Sequence, residues 1–249
     1  MNAPEPPIRS KVEDISAILR DEILRGQYRP GERLPSERDL AVRFETSRGG
    51  IREGLKKLEQ LGIATITPGG VRVVPIEDAS LSVLGPLVDL QENPDPALVG
   101  HLFEVLGALI SMSARTAVQR ASTDELERMQ SIVQTLADNV QDPEQQHQGW
   151  RDLATLFAQV NNNLVLRLIL NGLKTQLINR LEARPKVELN IDYDQELETL
   201  KKLAQGLTTR DSRCVASTIN EHFDSINDRI QNALSPTPMT NSAEGLTHE

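Results

Sequence analysis

The sequence predicts a mainly α-helical protein, with an N-terminal winged helix-turn-helix that carries a small β-hairpin wing, followed by an antiparallel all-α bundle. Aromatic residues make up only 3% of the 249 residues, and the second half is rich in Leu, Ala, Glu and Gln, which favour helices. Two short β-prone runs, ATIT and VRVV, flank Pro68-Gly69-Gly70, which is a hairpin signal. These features together indicate a small winged domain in front of a larger helical one.

The N-terminal helices are predicted from apolar spacing and capping residues. The apolar residues of the first helix recur at steps of three and four, which places Val12, Ile15, Leu19 and Ile23 on one face. Ser36 caps a second, short helix, and either Thr46 or Ser47 caps a third, which stops at Gly62. Three helices and a hairpin within about 75 residues predict the winged helix-turn-helix.

The domain boundaries follow from changes in composition. We expect a flexible N-terminus at 1–9, a DNA-binding domain at 10–75 and a Pro-punctuated linker at 76–97 with a possible short helix. Residues 98–234 show only helical patterns and predict an all-α bundle. The polar, Pro-rich residues 235–249 predict a disordered tail.

Charge is distributed unevenly between the two parts of the chain. Residues 1–75 contain 13 Lys and Arg against 11 Asp and Glu, and the remaining residues contain 14 against 25. Because an acidic body repels phosphates, any nucleic-acid role belongs to the front of the chain.

Two general classes are disfavoured by what the sequence lacks. It has no run of roughly 20 apolar residues and no secretion signal, so we expect a cytoplasmic protein without membrane contact. It has no G-x-S-x-G, no HExxH and no Gly-rich phosphate loop, so an enzyme that carries the DNA-binding part as an appendage is the weaker alternative.

The third helix carries a basic stripe at spacing i, i+4, i+8, formed by Arg48, Arg52 and Lys56. These residues share one face, opposite an apolar face formed by Ile51, Leu55 and Leu58. Such a helix fits the major groove, where Arg binds guanine edges bidentately, although a solvated charged face has the same pattern. The adjoining hairpin, and Arg38 near the start of the second helix, favour the DNA-binding interpretation.

Gly49 and Gly50 fall in the first turn of this helix, where Gly normally costs stability. Without side chains, the free N–H groups at the helix N-terminus could approach a phosphate closely. The alternative is that first-turn glycines are merely tolerated. Gly54, between the two faces, has no functional explanation from the sequence.

The segment PGERLPSERDLAVRFETSRGGIREGLKKLEQLGIATITPGG resembles the DNA-binding domain of the GntR family of bacterial transcription regulators, over residues of about 10–75. The resemblance implies a dimer that binds a short palindrome of double-stranded operator DNA. The residues it implies as contacts are Arg38, Ser47, Arg48, Gly49, Arg52 and Gly69. Positions 49 and 50 often carry side chains in that family, so base readout here is expected to depend more on Arg48, Arg52 and the wing.

The helical remainder, residues 98–234, resembles the effector domain of the FadR branch of that family, most clearly in NNNLVLRLILNGLKTQLINR. The resemblance implies an effector-binding and dimerisation domain. Many members of this branch bind a metal through one Asp and three His. The corresponding positions here are Trp150, Ala154, Leu200 and His222, and a two-residue shift recovers Asp152 at the cost of a His. One imidazole is too few ligands for a divalent ion, so no metal and no cofactor are expected.

Loss of the metal ligands predicts an apolar cavity for a lipophilic effector, similar to an acyl-CoA or fatty acid. Leu106 replaces the inward Arg of the branch, which weighs against unchanged acyl-CoA recognition. Candidate effector contacts are Ser111, Asn171, Arg180, Tyr193 and His222; His222 has the alternative of a hydrogen-bonded structural histidine. The resulting hypothesis is a ligand-responsive repressor of a metabolic operon; the alternatives are an organic-acid-responsive regulator and a regulator whose bundle only dimerises.

Overall fold

A computed structural model of the protein describes residues 10–91, 95–182 and 191–234. The expected flexible N-terminus and disordered tail lie outside the described residues. The chain divides into two compact units: residues 1–94 with 171–184, and residues 95–170 with 185–249.

The first unit contains a winged helix-turn-helix, as the sequence predicts. Its helices are α1 (Lys11–Leu24), α2 (Glu37–Arg43) and α3 (Arg48–Gln60). Strands β1 (Ala64–Thr67) and β2 (Gly70–Val73) follow and pair antiparallel, with Ala64 opposite Val73. The apolar faces of all these elements meet in one core, which includes Ile15, Leu19, Leu40, Ile51, Leu55, Leu58, Ile63 and Val71.

The helix ends follow the capping residues. Ser36 caps α2, and Ser47 rather than Thr46 caps α3, because the Ser47 hydroxyl accepts a hydrogen bond from the Gly50 N–H at 3.2 Å. Gly62 follows α3 with φ of +76°, the left-handed conformation that ends many helices.

Gly54 has a packing role in this unit. A β-carbon at this position would lie 3.3 Å from Cγ2 of Ile15, tighter than ordinary van der Waals contact. The missing side chain therefore allows α1 and α3 to pack closely.

Two further helical stretches lie outside the winged domain, and the boundary between the two units falls within the second of them, between residues 170 and 171. Two single 3₁₀ turns, Ile76–Asp78 and Leu81–Val83, lead into α4 (Leu84–Asp89), where the sequence predicts a short helix. Later in the chain, α8 (Leu164–Leu173) continues through a π-helical turn (Lys174–Ile178) into α9 (Asn179–Glu182). The sequence predicts one continuous helix over 163–184, because hydrophobic spacing does not distinguish a single π turn from an α turn.

The second unit is a helical bundle, and no strand occurs in its described residues. Its main helices are α5 (Pro96–Arg120), α6 (Thr123–Asp138), α7 (Pro143–Asn161), α10 (Tyr193–Thr208) and α11 (Ser212–Leu234). Helix α5 packs against α7 and α11, while α10 packs against α6 and α11. The shared core is aliphatic apart from one Phe and one Met, and includes Val118, Met129, Leu153, Phe157, Leu203 and Val215.

Helix α5 is long and apolar enough to pass for a membrane span by length and composition alone. In the fold it is a central helix of the bundle, and core helices of bundles share these properties. Its buried residues include Leu102, Leu106, Ala114, Ala117 and Val118.

Candidate functional site

The first turn of α3 presents backbone donors to solvent. Ser47 uses its side chain to cap the helix, while the N–H groups of Arg48 and Gly49 make no hydrogen bond within the described part of the chain. Free N–H groups at a helix N-terminus, together with the positive end of the helix dipole, favour an anion such as a phosphate.

The two glycines of this turn differ in the space around them. A β-carbon on Gly49 would meet only Oγ of Ser47 at 3.7 Å, and one on Gly50 would meet Oγ1 of Thr46 at 3.1 Å. The space next to Gly49 is therefore open to a ligand, whereas at Gly50 the side chain of Thr46 already lies within tight contact distance.

The basic and apolar faces of α3 lie where their spacing places them. Ile51, Leu55 and Leu58 are almost completely buried. The side chains of Arg52 and Lys56 are 65% and 58% exposed, and Arg48 is exposed at the start of the same face. The domain core therefore holds α3 with its basic face outward.

The arginines of this surface differ in what holds them. Nε of Arg52 donates to both carboxylate oxygens of Glu37, at 2.9 and 2.8 Å. Lys56 pairs with Glu53 at 2.9 Å, one turn earlier on α3. Arg38 and Arg48 make no ion pair within residues 10–91, 95–182 and 191–234.

The wing is stiffened by residues that the motif analysis did not assign. Gly70 has φ of +112°, and a side chain there would clash with the guanidinium of Arg33. Arg33 also forms an isolated antiparallel β-bridge with Arg72. Arg72, in strand β2, donates to the carbonyl of Gly31 at 2.9 Å and so supports the wing itself.

A polar cluster of four side chains lies inside the second unit, contributed by α7, α10 and α11. The Trp150 and His222 rings stack with centroids 3.7 Å apart and planes 20° apart. Nδ1 of His222 lies 3.3 Å from Oε1 of Glu196, and Arg229 Nη2 lies 3.6 Å from Oε2 of the same carboxylate. We refer to Trp150, Glu196, His222 and Arg229 as the interior cluster.

Burial dominates the electrostatics of the interior cluster. Desolvation lowers the pKa of His222 to about 3, with a further lowering from Arg229, so its imidazole is neutral at pH 7. Desolvation raises the pKa of Glu196 above its ordinary value, and Arg229 opposes this effect. Nε1 of Trp150, Oε1 of Glu196 and Nδ1 of His222 are buried and make no hydrogen bond within the described residues, which costs stability.

The interior cluster does not fit a divalent metal. Among the described residues, no group of three His, Cys, Asp or Glu side chains is arranged to hold an ion. Leu200, which stands at a position where the resemblance implies a metal ligand, is buried in the apolar core. The nearby guanidinium of Arg229 already supplies a positive charge to Glu196.

The five candidate effector contacts occupy different surroundings. His222 is buried in the bundle, whereas Ser111 is half-buried and donates to the carbonyl of Ala216 at 2.7 Å. Tyr193 is 37% exposed at the start of α10. Asn171 is exposed and Arg180 forms an ion pair with Asp89, and both residues belong to the first compact unit.

Two members of the interior cluster were missed by the sequence analysis. Glu196 lies one helical turn before Leu200, and Arg229 lies two turns after His222, so each shares a helix face with a position that the resemblance had singled out. Searching those faces for ionisable residues would have found them.

An outward basic recognition helix beside a wing, joined to a separate helical unit, defines a DNA-binding transcription regulator. Residues 11–74 match the family model for bacterial regulatory proteins of the gntR family, and residues 101–225 match the FCD domain. The chain belongs to the GntR family, in the group whose second domain is an FCD domain.

Similar proteins include regulators of the same architecture. The HTH-type transcriptional repressor NanR of Cronobacter sakazakii is 28% identical, over 88% of this chain and 86% of its own. The uncharacterized HTH-type transcriptional regulator Rv0494 of Mycobacterium tuberculosis is 32% identical, but the match spans only 50% of this chain and 52% of that one. A solved structure titled as Lar, which controls expression of the Listeria monocytogenes agr system, covers 91% of this chain and 99% of its own with a TM-score of 0.53; at 14% identity it shows the fold alone.

Proposed function

We propose that the protein is a ligand-responsive repressor that binds palindromic operator DNA as a homodimer, through α3 and the wing. The observation that carries this proposal is the exposed basic face of α3, with free backbone donors at its N-terminus and a wing beside it. The similar protein NanR is named as a repressor, which supports repression rather than activation.

Each residue of this surface has a role suited to its chemistry. Arg48 and Arg52 read guanine edges in the major groove, and Lys56 acts as a point charge on a phosphate. The backbone at Ser47, Gly49 and Gly50 approaches a second phosphate. Arg38 contacts the DNA backbone from α2, and Gly69 at the tip of the wing allows entry into the adjacent groove.

The dimer is supported by an exposed apolar face on the second unit. Leu164, Val165 and Leu168 on α8 are 60%, 66% and 61% exposed, and contiguous apolar surface of this kind marks protein interfaces. Leu168→Asp is expected to give a monomer in light-scattering measurements, while Leu81→Asp, at a 57% exposed apolar site of the first unit, should remain dimeric.

The effector of the proposed repressor is independent of metal and lipophilic, similar to an acyl-CoA or a fatty acid. The aliphatic core around the interior cluster and the buried Leu106 support this choice. Arg229 favours the alternative of a small organic acid, because its guanidinium could pair with a ligand carboxylate. The stack of Trp150 on His222, which occupies the metal region, favours the third possibility, a bundle that only dimerises. The proposed place of action is the cytoplasm, with the DNA.

A ligand screen separates these possibilities. The dimer is treated with a metal chelator and its thermal transition is measured with acyl-CoAs of several lengths, with fatty acids and with small organic acids. A shift with long acyl chains that also releases DNA supports the lipophilic effector. A shift with short acids overturns it, and no shift with any compound supports a dimerising bundle.

A further inference from the structure

The ion pair between Glu37 and Arg52 lies on the proposed DNA-binding surface, and none of the motifs described above gives Glu37 a role. Glu37 occupies the first position of α2, after the capping residue Ser36, and Arg52 lies in the middle of the outward face of α3. The pair therefore connects the two helices of the helix-turn-helix at the surface that would meet DNA.

The geometry of the pair leaves the reading end of Arg52 available. Both hydrogen bonds to Glu37 come from Nε, the donor closest to the backbone. Within the described part of the chain, neither Nη1 nor Nη2 of Arg52 makes a hydrogen bond. A guanidinium has five N–H donors in a fixed plane, so holding Nε fixes that plane and leaves the two terminal amino groups side by side.

A carboxylate at this position is otherwise unfavourable for a DNA-binding surface. It repels the phosphates and lowers general affinity for nucleic acid. Its side chain is 34% exposed, and it is placed at a helix N-terminus, where a negative charge interacts favourably with the helix dipole. Arg48, on the same helix, makes no such pair among the described residues and is free to change rotamer.

We propose that Glu37 is a positioning residue for specificity: it holds Arg52 so that Nη1 and Nη2 meet the O6 and N7 acceptors of one guanine in each half-site. This inference rests on the proposed function of α3. It assigns different tasks to two arginines, with Arg52 pre-oriented for one base and Arg48 adaptable to bases or phosphates. The negative charge of Glu37 also reduces binding to non-operator DNA. Glu37 therefore increases discrimination in two ways, by orienting Arg52 and by weakening non-operator binding.

The test compares sequence selection by the intact dimer and its variants. Wild type, Glu37→Gln, Arg52→Ala and the double variant are each used to select duplexes from one randomised pool. Affinities are then measured for the selected duplex, for a scrambled duplex and for a duplex with 7-deazaguanine at the most constrained guanine. Glu53→Gln is the matched control, because it removes one charge from the same surface and frees Lys56 instead of an arginine.

We expect Glu37→Gln to keep the half-site but to reduce preference at one guanine about five- to twentyfold, while binding to the scrambled duplex is unchanged or stronger. The 7-deaza substitution should weaken wild type and have little effect on Arg52→Ala. In the Arg52→Ala background, Glu37→Gln should cause no further loss of discrimination. Glu53→Gln should change affinity for all duplexes equally.

Two outcomes separate failure of this inference from failure of the proposed function. If Arg52→Ala loses discrimination but Glu37→Gln retains it, or if the two losses are additive, Glu37 does not act through Arg52. If wild type itself selects no sequence, the assignment of α3 as a reading helix is wrong. Thermal unfolding of each variant checks that the domain is intact, and Glu37→Ala provides a second removal of the carboxylate.

Discussion

The exposed face of α3 and the interior cluster of the bundle use similar side chains in opposite environments. The Arg52–Glu37 pair at α3 is exposed to water, so it contributes little to stability, and its proposed effect is to orient the Arg52 side chain. In the bundle, Glu196 and His222 are almost fully buried, and their pKa values move away from the ordinary range because water is excluded. The comparison indicates that the first region is open to an external charge, whereas the second pairs its charges within the bundle and leaves polar atoms of Trp150, Glu196 and His222 without a hydrogen bond among the described residues.

The largest effect is expected from removing a reading arginine. Arg48→Ala or Arg52→Ala should weaken operator binding by about 2–6 kcal/mol, since a bidentate base contact is worth about 1–3 kcal/mol and a dimer loses two. Fluorescence anisotropy with operator DNA measures the loss, and light scattering should show an unchanged dimer. Operator binding at wild-type concentrations by either variant would contradict the role of α3.

Breaking the interior cluster is expected to cost stability rather than DNA contacts. Arg229→Met should lower the free energy of unfolding by about 2–3 kcal/mol, because it leaves the buried carboxylate of Glu196 without its positive partner. Glu221→Gln is the control: its pair with Lys202 at 3.8 Å is exposed and worth at most about 1 kcal/mol. Equal effects in urea unfolding would mean that the interior cluster is no more important than a surface pair.

The buried His222 predicts a pH dependence with a defined sign. Its folded pKa of about 3 lies below the ordinary histidine pKa of 6.5, so the unfolded chain takes up a proton at higher pH than the folded one. The free energy of unfolding should therefore fall as pH drops from about 6.5 towards 3. Between pH 7 and 5.5 this contribution is about 1 kcal/mol.

Glu196 acts in the opposite direction, because its raised pKa stabilises the fold at low pH and that stabilisation is lost as pH rises. Comparing wild type with His222→Gln isolates the histidine. Wild type should lose more stability than the variant on acidification to pH 5.5, and parallel pH profiles would contradict the assigned state of His222.

The smallest expected effects concern the glycines of α3. Gly49→Ala should stabilise the first unit by up to about 0.5–1 kcal/mol, because Ala favours helix and the site is open. If close phosphate approach is the reason for the glycine, the same variant should bind DNA a few-fold more weakly. Unchanged affinity with higher stability would favour tolerance instead. Gly54→Ala is the structural contrast, since its β-carbon would press on Ile15.

The sequence predicted the first unit in more detail than the second, for physical reasons. The local signals are the caps at Ser36 and Ser47, the turn at Gly62 and the hairpin at Pro68-Gly69-Gly70. Each of them depends only on residues that are close in the sequence. The ion pair of Glu37 with Arg52 joins residues 15 positions apart, so it depends on how α2 and α3 pack. The interior cluster joins three helices, and its members are recognisable only after the bundle is assembled.

The central claim is that α3 and the wing read a specific DNA sequence. Its most direct test is the affinity of the wild-type dimer for its selected duplex and for a scrambled duplex, titrated over a range of salt concentrations. We expect the selected duplex to bind at least about 10³-fold more tightly and log affinity to fall linearly with log salt for both duplexes. Equal affinity for the two duplexes at every salt concentration would contradict the account.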